Sequence, residues 1–92
     1  MIVLWDGEKR IRFAYRSGDG SATTREVTVY QVNSAGSGWN DDLYFYGLCH
    51  LRKEERTFRL DRVRYRNKVE DVATGEIGTL RQILSITERL ER

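Results

Sequence analysis

Polar and apolar residues alternate with a period of two along much of the chain, the pattern of strands that bury one face. In IRFAYRSGDGS, Ile11, Phe13 and Tyr15 fall on one side and Arg10, Arg12 and Arg16 on the other. The stretch ends in Ser-Gly-Asp-Gly-Ser, where glycine supplies the positive φ of a hairpin turn. TREVTVYQV then reads as a second strand, rich in β-branched residues, with Val27 and Val29 inward. The Gly, Ser, Asn and Asp of NSAGSGWNDD mark a loop, whose Trp39 is expected to fold back over one end of the sheet. LYFYGLCHLR is apolar on both faces until His50 and Arg52, which predicts a central strand with a wet far end. After a tight KEE connection, RTFRL forms a fourth strand with Phe58 and Leu60 inward. RVRYRNKVEDV forms the fifth, with Val63, Tyr65 and Val69 on one face and Arg62, Arg64, Arg66 and Lys68 on the other.

ATGEIG is a turn that closes the sheet, and the period then changes. In TLRQILSITERLER, Thr79 and Gln82 match a capping box, and Leu80, Ile83, Leu84, Thr87 and Leu90 make a stripe at helical spacing. The predicted fold is therefore mainly β: a small, five-stranded, strongly bent barrel with a C-terminal α-helix packed across one end. With 92 residues the chain is expected to be one domain over 1–92, the barrel at about 10–72 and the helix at about 79–91.

Charge changes the picture only through its distribution. The net charge is +2, but residues 50–68 carry eight Lys and Arg against Glu54, Glu55 and Asp61, a local excess of 8 − 3 = +5. Six of those eight are arginines, whose planar forks suit bidentate phosphate contact and stacking on bases. Tyr44, Tyr46 and Tyr65 offer stacking platforms wherever they reach the surface. Two explanations compete. Edge strands carry Lys and Arg to block aggregation, and Glu54, Glu55, Asp61, Glu70 and Asp71 are available to pair with them. Alternatively, the arginines form a polyanion surface.

Catalysis and metal chemistry find little support. The one histidine, His50, adjoins the one cysteine, Cys49, and neighbours on a strand point to opposite faces. One His and one Cys cannot furnish a zinc site, so neither metal nor cofactor is expected. Asp41 and Asp42 read as turn residues, and the glycine loops lack the spacing of a phosphate loop. No apolar run reaches membrane length, MIVLWDGEKR lacks the pattern of a signal peptide, and a lone cysteine suits a reducing cytoplasm, which is the expected compartment.

The order of motifs is similar to that of the WYL domain family. IRFAYRSGDGSATTREVTV, then LYFYGLCHLRKEERTFRLDRV, then DVATGEIG carry the resemblance, most specifically in Arg-Thr-Phe-Arg-Leu-Asp-Arg. Phe13, Tyr15 and Arg25 also fit. The naming tripeptide falls on Leu43-Tyr44-Phe45, of which the tyrosine is retained, and the proline usual in the second strand is replaced by Val29. The resemblance implies an Sm-like (Src-homology-3-type) barrel that senses ligands in bacterial transcription regulators and phage-defence proteins. It implies a negatively charged ligand, a nucleotide or single-stranded nucleic acid, lined by Tyr44, His50, Arg52, Arg56, Arg59 and Arg62. Such domains usually follow a DNA-binding helix-turn-helix. About ten residues precede the first strand here, so the expectation is a piece of a longer regulator or a module acting through a partner protein. The competing expectation is a protein-interaction or homodimerisation domain that uses the barrel edge or the C-terminal helix.

Overall fold

The computed structural model describes residues 2–35 and 43–86. Trp39, Asp41, Asp42, Thr87 and Leu90 lie outside those residues. Six antiparallel strands form one sheet: β1 (Ile2–Arg16), β2 (Ala22–Ser34), β3 (Leu43–Cys49), β4 (Glu54–Arg59), β5 (Lys68–Asp71) and β6 (Ile77–Thr79). Their order across the sheet is β4-β3-β2-β1-β5-β6, so β4 and β6 are its two edges.

The long β1–β2 hairpin organises the rest. Its turn is the expected Ser17–Ser21 stretch, with Gly20 at φ +91° and the Ser17 N–H donating to the Ser21 carbonyl at 2.8 Å. Asp19 accepts from the Ser21 N–H and hydroxyl, which holds its carboxyl below the usual range. β1 starts earlier than the alternation suggests, because its first half is irregular. Register shifts between Val3 and Trp5 and between Asp6 and Lys9 each place an extra residue on β1.

One face of the sheet carries the core. Ile11, Phe13 and Tyr15 of β1 meet Val27, Val29 and Val32 of β2 and Leu43, Phe45 and Cys49 of β3, all buried. Four aromatic rings form the centre. Phe45 stands edge-on to Phe13 at 5.3 Å between centroids and stacks on Phe58 at 5.4 Å, while Tyr15 meets Phe58 edge-on at 5.3 Å.

The chain is mainly β as expected, but six strands in an open order stand in place of the five-stranded barrel. After β4 the chain passes through a 3-10 turn, Leu60–Arg62, to a single bridge between Val63 and Tyr15. The Arg59 N–H also donates to the Tyr15 hydroxyl at 3.1 Å. The sheet thus curls over its aromatic core, but its ladder stays open. The fifth strand shortens to Lys68–Asp71, and Ile77–Thr79, which runs from the end of the expected closing turn to the helix cap, becomes a sixth. The capping box forms as expected: Thr79 Oγ1 accepts from the Gln82 N–H at 3.2 Å, and Gln82 Oε1 accepts from the Thr79 N–H at 2.8 Å. The helix it starts is one turn, Leu80–Ile83, followed by Ser85 at φ +58°. Among the described residues, no helix is long and apolar enough to cross a membrane.

One buried charge ties the middle of β1 to β5. Asp71 is 4% exposed, and its Oδ2 accepts from Lys9 Nζ at 3.1 Å while its Oδ1 accepts from the Ala73 N–H at 2.9 Å. Burial alone would push this carboxyl up. The Lys9 ammonium and the Ala73 N–H outweigh it and hold the carboxyl below its ordinary range. A depressed carboxylate contributes stability that is complete above its unfolded pKa and is lost as pH falls through the folded one. The gap in urea midpoint between the parent and Asp71→Asn is therefore expected to be widest above about pH 5. It should close as pH falls below about 4. An equal gap at about pH 6 and about pH 3 would show the carboxylate to be uncoupled from folding.

Candidate functional site

The six residues singled out by the family pattern fall in several places. Tyr44 and Arg59 face each other across β3 and β4 on the outer side of the sheet, and both are half-buried. Arg56 pairs in register with Gly47 and so belongs to the opposite face, at the exposed edge. His50 lies just past β3, where its Nε2 shares a 2.8 Å hydrogen bond with Thr28 Oγ1. Cys49 beside it is fully buried. Arg52 is exposed in the β3–β4 turn. Arg62 sits in the 3-10 turn, its Nη1 3.3 Å from where a β-carbon on Gly18 would lie. Tyr44 and Arg59 are brought together; the remaining four are not.

Ion pairing decides how much charge each site has to spare. The Arg59 guanidinium forks onto Asp61, with Nε–Oδ1 at 3.1 Å and Nη2–Oδ2 at 2.7 Å, which raises its pKa. Arg56 lies 3.6 Å from Glu54. Arg10 and Arg12 share Glu26, and Arg12 also reaches Glu70 at 3.1 Å. The Tyr46 hydroxyl donates to Glu55, which raises its pKa. Each of these groups is already partly compensated. For them the charge-laced solvated surface is the apt description, and such pairs add little stability.

Arg16, Arg62, Arg64 and Arg66 differ. They line an open cleft of about 410 Å³ together with Asp61, Tyr65 and Asn67. None of the four pairs with a carboxylate among the described residues. The stripe Arg62, Arg64, Arg66 and Lys68, expected along one strand face, does not form. Tyr65 (φ 57°, ψ 50°), Arg66 (φ 61°, ψ 38°) and Asn67 (φ 61°) instead make a left-handed turn. Non-glycine residues pay roughly 1–2 kcal/mol each in this conformation. The turn persists because Asn67, a residue type that tolerates it, donates its side-chain amide to the carbonyls of Leu60 at 2.8 Å and Val63 at 2.9 Å. Arg64 lies over the Tyr65 ring, 5.3 Å from its centroid. The left-handed turn thereby breaks the alternation and gathers the arginines around one concavity. Their sequence spacing carried the charge but not this geometry, since no glycine marks the turn.

Among the described residues, no group of three or more His, Cys, Asp or Glu is placed to hold a metal ion. The fold and this surface define a small antiparallel β module with four arginines gathered about one strained turn. The family model of the WYL domain matches residues 5–66, and the chain belongs to the WYL domain family. No curated protein and no solved structure matches the chain.

Proposed function

We propose that this domain senses a negatively charged ligand, a nucleotide or single-stranded nucleic acid, and has no catalytic step of its own. Its setting would be bacterial transcription regulation or phage defence in the cytoplasm, in concert with another domain or regulator protein. Membership of the WYL domain family supports a regulatory ligand-sensing role. The observation that carries the ligand's sign is the partition of the arginines. Arg10, Arg12, Arg56 and Arg59 are matched by carboxylates, whereas Arg62 and its neighbours Arg16, Arg64 and Arg66 line one cleft and pair with none among the described residues. Like charges held together repel, and phosphates relieve that repulsion. Arg62 is the family-pattern residue within this cleft and the first choice for a phosphate contact. Arg59 reaches the cleft's rim only through its fork onto Asp61. Cys49 inside the core and His50 held outward by Thr28 support the absence of a Cys–His nucleophile.

Anisotropy titrations of a labelled single-stranded oligonucleotide and of a fluorescent nucleotide, at about 50 and about 200 mM salt, test the proposal. Four phosphate contacts predict roughly a fiftyfold loss of oligonucleotide affinity between those salts. Arg62→Ala is expected to weaken binding and flatten the salt slope by the share of one contact. Absence of binding by both probes at low salt, or an Arg62→Ala variant identical to the parent, would refute it. A salt-insensitive dimer on sizing, in place of ligand binding, would favour the interaction-domain alternative.

A further inference from the structure

We infer that the cleft takes a compact polyphosphate ligand, a nucleoside di- or triphosphate, with its phosphates on Arg16, Arg62 and Arg66 and its base against Tyr65. The inference rests on the anion-sensing proposal and narrows it, because it excludes the continuous backbone of a single strand as the preferred occupant.

The first support is convergence. The cations reach one cleft from three parts of the chain: the end of β1, the 3-10 turn and the left-handed turn. A single strand needs a groove with cations and stacking platforms spaced along the backbone. The outer face of β3 and β4 would have to continue that path, yet two of its groups are already engaged. Arg59 is forked onto Asp61, and Tyr46 is bonded to Glu55. Arg56 lies on the opposite face. The cleft thus gathers four arginines that pair with no carboxylate among the described residues, whereas Arg52, Lys53 and Lys68, which have none either, do not line it. Asp61 lines the same cleft, but the Arg59 fork compensates its charge.

The second support is the backbone. Three successive non-glycine residues, Tyr65, Arg66 and Asn67, hold left-handed dihedrals, and all three line the cleft. Glycine would adopt the turn without strain but would carry neither a guanidinium nor a ring. Strain that neighbouring contacts hold in place is a feature of ligand clamps. The third support is Tyr65 itself. It is 70% exposed even with Arg64 over its ring, which leaves a large flat surface for a base. Arg64 thus backs the ring, while Arg16, Arg62 and Arg66 bracket the phosphates.

The experiment compares pyrophosphate, ATP, adenosine and an oligothymidine of about twelve nucleotides by calorimetry in about 50 mM salt. The expected result is that ATP binds, pyrophosphate competes with it, and adenosine does neither. Tyr65→Ala should weaken ATP about tenfold and leave pyrophosphate unchanged, in line with loss of one stacking contact. Arg66→Ala should weaken both by tenfold or more. Arg66→Gly, which suits the left-handed turn and removes the same guanidinium, should lose both to the same degree and so excludes misfolding as the cause. Oligothymidine binding that depends on Arg62 but ignores pyrophosphate, Tyr65→Ala and Arg66→Ala would overturn this inference and leave anion sensing standing. Failure of every probe to bind would remove both.

Discussion

Phe45→Ala is expected to leave the domain largely unfolded, at a cost of about 3–5 kcal/mol. The ring is fully buried and central to the aromatic cluster, edge-on to Phe13 and stacked on Phe58. Its strand pairs it directly with Val32 on one side and Phe58 on the other, so the cavity would open between three strands. Small domains have total stabilities near the low end of about 5–15 kcal/mol, and this one loss takes most of that margin. Phe45→Leu keeps most of the volume and should cost considerably less. Urea unfolding followed by circular dichroism measures the difference. An alanine variant within about 1 kcal/mol of the parent would mean that the four rings are not the centre of the core.

Gly47→Ala is expected to be nearly as damaging for the opposite reason. A β-carbon on Gly47 would lie 2.1 Å from the Thr28 carbonyl oxygen, 2.8 Å from its carbonyl carbon and 2.9 Å from Val29 Cα. All three are backbone atoms of β2, so no side chain can swing away. The crowding has a local origin. Val29 pairs with Gly47 and Gln31 with Tyr46, so Tyr30 is an extra residue on β2 at this point, and the irregularity presses one backbone on the other. Overpacking costs about 1–3 kcal/mol where side chains yield and more where backbone must move, so about 3 kcal/mol or above is expected here. Soluble yield and urea midpoint read the effect. A variant with the parent's midpoint would show that β2 and β3 separate easily at this position.

Much of the core was legible from alternation. Ile11, Phe13 and Tyr15, then Val27 and Val29, then Phe58 and Leu60 all lie inside as their spacing required. So does the capping box of Thr79 and Gln82, because both partners are three residues apart. The naming tripeptide resolves by the same rule: Leu43 and Phe45 are buried, and Tyr44 between them turns outward. The first half of β1 was missed because its irregularities interrupt the period that identifies a strand. The basic stripe failed differently. Arg62, Arg64, Arg66 and Lys68 have perfect two-residue spacing, but three left-handed residues intervene. What holds them is Asn67 bonded to carbonyls that β4 and its 3-10 turn must first deliver. The candidate site is therefore half legible: the family pattern names Arg62 and the surface reading offers Tyr65 as a stacking platform, while Arg64 and Arg66 are expected along a strand face and Arg16 on a different strand.

The limit between the two is set by the range of the forces involved. Side-chain alternation, turn chemistry and helix capping act over two to four residues, so the chain's text was enough to establish a mainly β module, its interior residues and its family. Free charge is a long-range property. Arg12 loses its surplus to Glu26 and Glu70, 14 and 58 residues away, and Lys9 to Asp71, 62 residues away. Arg16 keeps its charge and joins Arg62 only because the curled sheet brings the end of β1 to the turn that follows β4. Which arginines remain to meet a phosphate is decided by proximity in the folded chain, and no local pattern encodes it.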